Sequence, residues 1–96
     1  MLETLQLQKL AREIVAKRMP KVEVADVLTV PITDSEGEAA LRITFVLTPE
    51  SVDAITGEDA LKLLVELKDA LFRKGEERFA IIEYATPDDL EEQEED

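Results

Sequence analysis

The chain has 96 residues and a formal net charge of −12, from 23 acidic and 11 basic side chains, and it contains neither cysteine nor histidine. This length fits one small domain with a single hydrophobic core. The composition excludes disulfides, zinc–thiolate sites and His-dependent catalytic triads. Residues 1–87 carry eleven basic and sixteen acidic side chains, so more than half of the excess negative charge lies in residues 88–96.

This charge balance disfavours nucleic-acid binding, because affinity for phosphates depends on basic side chains that displace counterions. The nearest approach to a basic patch is Lys17, Arg18 and Lys21, and the dipole of a predicted helix explains cations at that end of it. The N-terminus has no signal-peptide pattern, and no segment is long enough to span a bilayer. We therefore expect a cytoplasmic protein with no membrane or nucleic-acid partner.

A helix is predicted over residues 2–18, where apolar residues recur at helical spacing until Pro20. A strand follows over 22–32, in which Val22, Val24, Leu28, Val30 and Ile32 share one parity. Asp26 interrupts that parity. It marks either a β-bulge or an edge strand with a protective charge, and a catalytic carboxylate is a third interpretation.

The turn TDSEGE at 33–38 and the alternating strand LRITFVL at 41–47 predict a β-hairpin. A short helical turn at 48–53 precedes a longer helix, capped at Thr56 and closed by Arg73, Lys74 and Gly75. The apolar stripe of that helix comprises Ala60, Leu61, Leu64, Leu67 and Leu71, with Lys68 interrupting it and with Leu63, Ala70 and Phe72 extending it.

A third strand is predicted over 78–85. Phe79, Ile81 and Glu83 fall on one face of it, and Ala80, Ile82 and Tyr84 fall on the other. Apolar residues on both faces indicate a strand that is buried on both sides or covered by a partner. Thr86 and Pro87 then repeat a helix-cap pattern, and we expect the turn that follows to fray after Leu90, because carboxylates near a helix C-terminus oppose its dipole.

The predicted fold is α+β, an α-β-β-α-β two-layer sandwich with two helices on one face of a three-stranded, mainly antiparallel sheet. Residues 1–90 form the domain and 91–96 a flexible acidic tail. The order of the strands is open, although a crossover from 41–47 through the helix to 79–85 is favoured.

The sequence contains few motifs that indicate catalysis or ligand binding. The three glycines are isolated, so a Gly-rich phosphate loop is absent. Ser51 is best explained by local backbone stabilisation and Tyr84 by a strand aromatic with its hydroxyl at the rim. Carboxylates near the hairpin, at Asp26, Asp34, Glu36 and Glu38, are the candidates for a divalent-metal site, but their spacing departs from an EF-hand loop. We predict no catalytic, cofactor or metal residue.

The order of elements resembles the palm of small nucleotidyltransferases, whose antitoxin members pair with ribonuclease toxins. That family carries a Gly-Ser motif after its first strand and paired aspartates in the second. Here the corresponding segments read VPITDSEGE and LRITFVL, so the catalytic motifs do not carry over. Similar layouts occur in ferredoxin-like and type II KH-like folds, but the GxxG loop of KH domains is absent.

We predict a small non-enzymatic protein that binds a protein partner, with an inhibitor or antitoxin that masks a basic nucleic-acid-processing enzyme as the concrete form. The alternatives are an acidic homodimer with an assembly role, and a metal-dependent enzyme or subunit that uses the hairpin carboxylates. Self-association through the sheet or through Leu63, Val65 and Phe72 of the long helix is one route to the homodimer. The candidate partner-binding residues are Phe72, Phe79, Ile82, Tyr84, Glu91, Glu92, Glu94 and Glu95.

Overall fold

A computed structural model of the chain describes the backbone of residues 2–94 and the side chains of residues 2–90. The elements in chain order are α1 (Thr4–Arg18), β1 (Val24–Thr33), β2 (Ala39–Leu47), α2 (Pro49–Ala54), α3 (Gly57–Arg73), β3 (Phe79–Ala85) and α4 (Pro87–Glu94). The predicted α+β fold is confirmed, with the short helices α2 and α4 at the two Thr-Pro caps.

The three strands form one mixed sheet in the order β1-β2-β3. β1 and β2 are the antiparallel arms of the predicted hairpin, whereas β2 and β3 are parallel. The favoured crossover through α3 is therefore present. One of the two strand pairs, β2 with β3, is parallel, so the sheet is mixed. β2 lies in the centre, and β1 and β3 are the two edges.

The core lies between the sheet and the layer formed by α1 and α3. Its sheet side consists of Val27, Leu41, Ile43, Phe45, Leu47 and Ala80, and its helix side consists of Leu7, Ala11, Ile14, Val15, Leu63, Leu67 and Leu71. All of these side chains are buried. Because aromatic residues are scarce, the core consists mainly of branched aliphatic side chains, which pack closely between the sheet and the helices.

The core stripe of α3 differs from the predicted one. Leu63, Leu67 and Leu71 are buried, at a spacing of four residues, whereas Leu61 is exposed. Leu63 was assigned to a surface for self-association, and its burial makes that assignment wrong. The stripe is displaced because α3 is apolar on two sides, so that helical periodicity alone does not say which side meets the sheet.

A β-bulge near Asp26 changes the orientation of β1. The register shifts between Val24 and Asp26, which confirms the bulge interpretation of the broken parity. The extra residue places Val27 in the core opposite Phe45 and turns Leu28 to the other face of the sheet. The sequence parity had grouped Leu28 with Val24, and a one-residue shift reverses the face of every residue beyond it.

Side chains cap the helices that follow the Thr-Pro and Thr-Gly junctions, as α2 and α3 show. Thr48 accepts a hydrogen bond from the Ser51 amide at 3.2 Å, and Thr56 with Asp59 completes a capping box at the start of α3. α4 extends to Glu94, four residues beyond Leu90, where fraying was expected. The tail assignment also includes residues 95 and 96, which lie outside the described residues.

Among residues 2–94, no helix combines the length and the apolar character that crossing a membrane requires.

Candidate protein-interaction face

The face of the sheet opposite α1 and α3 is called the open face. Strand register and the alternation of side chains assign twelve residues to it. They form four rows across β1, β2 and β3: Asp26, Val46 and Ala85; Leu28, Thr44 and Glu83; Val30, Arg42 and Ile81; Ile32, Ala40 and Phe79. Eight of the twelve are apolar, so this face presents a hydrophobic surface that neither main helix covers.

Two edge positions of the open face remain substantially exposed. Val30 on β1 has 46% of its surface accessible, and Phe79 on β3 has 40%. Ala40 lies between Ile32 and Phe79 and is fully buried, because its larger neighbours cover it. A β-branched and aromatic surface of this kind is typical of a site that another chain covers.

One ion pair crosses the centre of this face. The Arg42 Nε lies 3.6 Å from Glu83 Oε1, and both side chains are about half exposed. At this exposure the pair contributes little to the stability of the fold. The charges of Arg42 and Glu83 compensate each other, so the pair adds no net charge to the centre of the face.

α4 borders one end of the open face and makes it concave. A depression of about 920 Å³ is lined by Leu28, Val30, Thr44 and Glu83 of the strands and by Asp89 and Leu90 of α4. Thr86 caps the start of α4 beside this face. Its amide donates to Asp89 at 3.0 Å, and its hydroxyl accepts from the Asp89 amide at 3.3 Å. The depression is broad and open to solvent, a shape that suits a chain segment.

The predicted partner-binding residues do not form one surface. Phe79 lies on the open face, whereas Ile82 and Tyr84 pack against the core on the helix-covered side. Both also border the depression, although register and core packing assign their side chains to the other face. Phe72 lies on α3. The side chains of Glu91, Glu92, Glu94 and Glu95 lie outside the described residues, so their role stays a prediction.

The faces predicted for β3 are confirmed, but the environment of Tyr84 is not. Its ring stacks on Phe45 with centroids 6.0 Å apart, and its hydroxyl is buried rather than at the rim. Burial raises the pKa of Tyr84, and the negative charge of Asp59 adds to the rise. The phenol stays protonated at neutral pH and acts as a core residue.

The four hairpin carboxylates do not meet. Asp26 lies at the start of β1 and Asp34 beyond its end, separated by about 25 Å at the usual rise of a strand. Asp34 Oδ1 accepts hydrogen bonds at 2.8 Å from the amides of Glu36 and Glu38, which makes it a turn residue. Within the described part of the chain, no group of three acidic side chains is arranged to hold a metal ion.

Asp26 has local partners. Its Oδ1 accepts from the Val27 amide at 2.8 Å and lies 3.3 Å from a terminal nitrogen of Arg12. These contacts tie the bulge to α1. Both side chains of the ion pair are about half exposed, and Asp26 occupies the edge strand, where a charge discourages pairing with another chain.

Ser51 has the structural role that the sequence indicated. Its hydroxyl is buried, accepts from the Glu23 amide at 2.8 Å and is hydrogen-bonded to Thr48 Oγ1 at 2.9 Å. The contact fastens α2 to the chain just before β1. Because it joins the cap of α2 to the Glu23 amide, this hydroxyl is part of the scaffold.

The most buried charged group is one that sequence reasoning missed. Glu76 has 4% of its surface exposed, and it pairs with Arg78 through two hydrogen bonds of 2.9 and 2.7 Å. Glu76 also accepts from the Leu2 amide at 2.9 Å, while Arg78 donates to the Leu2 carbonyl at 3.2 Å. The pair therefore fixes the N-terminal segment to the loop between α3 and β3.

This arrangement explains why the pKa of Glu76 is lowered. The hydrogen bonds from the Arg78 side chain lower the pKa of Glu76 to about 2, against the opposing effect of burial, and the amides of Leu2 and Arg78 add to the lowering. Because Glu76 bonds both to Arg78 and to the distant Leu2, the pair is a structural clamp. The only sequence signal was the segment Glu-Glu-Arg after a helix-ending glycine. Charged segments of this kind are common in exposed loops.

Comparison with known proteins returns no match for this chain among protein-family models, curated protein sequences or solved structures.

Proposed function

We propose that the protein is a non-enzymatic binding module that docks a basic protein partner on the open face of its sheet. The observation that carries the proposal is the coincidence of an uncovered apolar sheet face with a border of carboxylates. Asp26, Glu83 and Asp89 lie on or beside this face; Glu83 is paired with Arg42 of the same face, and Asp26 is paired with Arg12 of α1.

The charges of the chain are separated in space, which supports this choice of partner. α1 has four basic and one acidic side chain, and α3 with its C-cap Lys74 has four of each. The remaining segments carry a net charge of −15, so the negative charge is concentrated outside the layer of main helices. A basic partner is attracted toward the sheet side and the C-terminal end, which accelerates encounter and orients the two surfaces.

The shape of the face supports a macromolecular partner over a small molecule. Small-molecule sites enclose most of their ligand, whereas this depression is open to solvent and its lining mixes aliphatic side chains with charged and polar ones. Protein interfaces combine apolar and polar contacts, and the open face offers both, with aliphatic and aromatic side chains on its edge strands and the Arg42–Glu83 pair at its centre.

The concrete form is an inhibitor or antitoxin that masks a nucleic-acid-processing enzyme. Such an enzyme presents a basic surface to phosphates, and an acidic protein with an apolar binding face would compete for the same surface.

Binding is tested by capture with matched variants. The wild-type chain is used as bait in native lysate, beside Val30→Lys on the open face and Leu61→Lys on the outer surface of α3. Both substitutions place the same cation at an exposed aliphatic position, but only the first lies on the proposed site. The expected result is a basic protein that wild type and Leu61→Lys retain and that Val30→Lys loses.

The captured protein is then purified and its affinity is measured at several salt concentrations. Affinity should fall as salt rises, because exposed charges are screened. Equal capture by Val30→Lys and wild type would reject the open face as the site, and a partner whose affinity is independent of salt would reject the electrostatic part of the proposal.

A further inference from the structure

A second apolar surface lies on α3, on the side that faces away from the sheet. Leu61, Val65 and Phe72 are 62%, 60% and 80% exposed. Together with Lys68 they follow a spacing of four, three and four residues, which places all four on one narrow side of the helix. We call this set the outer stripe. It is separate from the buried stripe of Leu63, Leu67 and Leu71.

The outer stripe has the spacing of a coiled-coil seam. Apolar residues that alternate at three and four residues allow two helices to pack with interlocking side chains. The position of Lys68 decides the orientation. In a parallel pair it would face its own copy across the seam, and two like charges would meet in a desolvated position.

An antiparallel pair removes this conflict. With a two-fold axis between residues 66 and 67, Leu61 faces Phe72 of the second copy and Val65 faces Lys68. The aliphatic stem of the lysine then covers Val65 while its ammonium reaches solvent. Every member of the stripe meets a different member of the same stripe, which is the self-complementarity that a two-fold interface requires.

The charges beside the stripe fit the same arrangement. In the antiparallel pair Lys62 lies opposite Asp69 of the second copy. Within one copy, Lys62 pairs with Glu58 at 3.0 Å and Asp69 pairs with Arg73 at 2.7 Å, and all four side chains are more than half exposed. Exposed pairs of this kind exchange partners at little cost.

The charge of the helix itself also permits self-association. α3 with Lys74 has no net charge, although the chain carries −12. A second copy that approaches along α3 meets the least repulsive element with an exposed apolar stripe. From this complementarity we infer that the protein forms a two-fold symmetric homodimer through antiparallel pairing of the outer stripes of α3.

This interface leaves both open faces free. α3 packs on one side of the sheet and the open face is the other side, so the dimer presents two open faces directed away from the contact. The inference goes beyond the proposed function and does not depend on it. A single helix pair buries less than the ~800 Å² per partner of a standard interface, so we expect a dissociation constant in the micromolar to millimolar range.

Sedimentation equilibrium over a range of concentrations tests the dimer with the full chain. Phe72→Glu should raise the dissociation constant about tenfold or more, because it removes a large apolar side chain from the seam and inserts a charge. Leu5→Glu is the matched control, since Leu5 is 78% exposed on α1, away from the outer stripe. It should leave the dissociation constant unchanged. Circular dichroism confirms that each variant is folded.

A mixing experiment tests the orientation. Lys62→Glu alone and Asp69→Lys alone each bring like charges together across the antiparallel seam, so each should dimerise more weakly than wild type. An equimolar mixture of the two variants restores two opposite-charge pairs and should form a heterodimer more readily than either forms a homodimer. Native mass spectrometry resolves the three species when one variant is isotope-labelled.

The inference is overturned if the wild-type chain sediments as a monomer at millimolar concentration, or if Leu5→Glu weakens association as much as Phe72→Glu. A statistical mixture of homodimers and heterodimers would reject the antiparallel orientation. Retention of the dimer by Val30→Lys, with loss of partner capture, would show that the two surfaces act independently.

Discussion

Glu76 and Arg78 form a bidentate ion pair with the Glu76 side chain fully buried, and the same two side chains bind the amide and the carbonyl of Leu2. The pair closes the N-terminus of α1 against the loop that follows α3. A Schellman motif positions it, in which the Glu76 amide donates to the Leu71 carbonyl at 2.9 Å and Gly75 takes a positive φ of 82°. The helix end, the glycine and the clamp are therefore one structural unit.

Removing the carboxylate charge should destabilise the protein. Glu76→Gln leaves the guanidinium of Arg78 without its counter-charge at a site where the arginine side chain is 12% exposed. Breaking a buried pair in this way costs about 3 kcal/mol. Urea denaturation monitored by circular dichroism measures the change. Glu77→Gln is the control, since Glu77 is exposed and adjacent, and it should alter the free energy of unfolding by less than about 0.5 kcal/mol.

The same group predicts the response to acid. The pKa of Glu76 is about 2 in the folded protein, below its ordinary 4.5, so the folded state favours the ionised form. The resulting stabilisation is complete above about pH 5 and is lost as pH falls from 4.5 toward 2, up to about 3 kcal/mol. Denaturation at pH 3 and pH 6 should show a smaller difference for Glu76→Gln than for wild type. An identical pH dependence in both would contradict the assignment.

Substitutions on β1 should report the face that each residue occupies. Val27 is fully buried against the core, whereas Val30 lies on the open face. Val27→Ser should cost about 2–3 kcal/mol, because it removes a buried aliphatic side chain and inserts a hydroxyl. Val30→Ser should cost less than about 0.5 kcal/mol. Thermal denaturation compares the two, and the reverse order would place the register of β1 one residue away from that described.

Two glycines should respond differently to substitution by alanine. Gly75 has a φ of 82°, so Gly75→Ala places a side chain in the left-handed region and should destabilise by about 1 kcal/mol. Gly57 begins α3 with open space where a β-carbon would lie. Gly57→Ala should be neutral or stabilising by up to about 0.5 kcal/mol, because alanine restricts the unfolded chain. Melting temperatures that fall equally for both variants would contradict this distinction.

The helix-capping box of α3 offers an independent test of local stability. The Thr56 hydroxyl accepts from the Asp59 amide at 3.0 Å, and the Thr56 amide donates to Asp59 at 3.3 Å. Thr56→Ala should destabilise the protein by about 1 kcal/mol. Thr56→Ser keeps the accepting oxygen and should retain most of the stability. Equal losses in the two variants, measured by chemical denaturation, would show that the hydroxyl does not act as the cap.

Local signals in the sequence were sufficient for the order of elements. Thr48, Thr56 and Thr86 begin helices, Gly75 ends one, and the alternation in LRITFVL defines the central strand, because caps and strand alternation act over a few residues. The broken parity at Asp26 was also recognisable as a bulge. The excess of acidic residues at the C-terminal end was likewise determined by sequence alone.

Tertiary structure decided which apolar surfaces are buried. α3 has two apolar stripes, and only packing against the sheet assigns Leu63, Leu67 and Leu71 to the core and leaves Leu61, Val65 and Phe72 outside. The bulge turns Leu28 and Val30 to the open face, and β3 completes that face through a parallel pairing that sequence left open. The clamp of Glu76 and Arg78 depends on Leu2, more than seventy residues away in the chain. Such long-range partners have no local signature, because they meet only when the chain has folded.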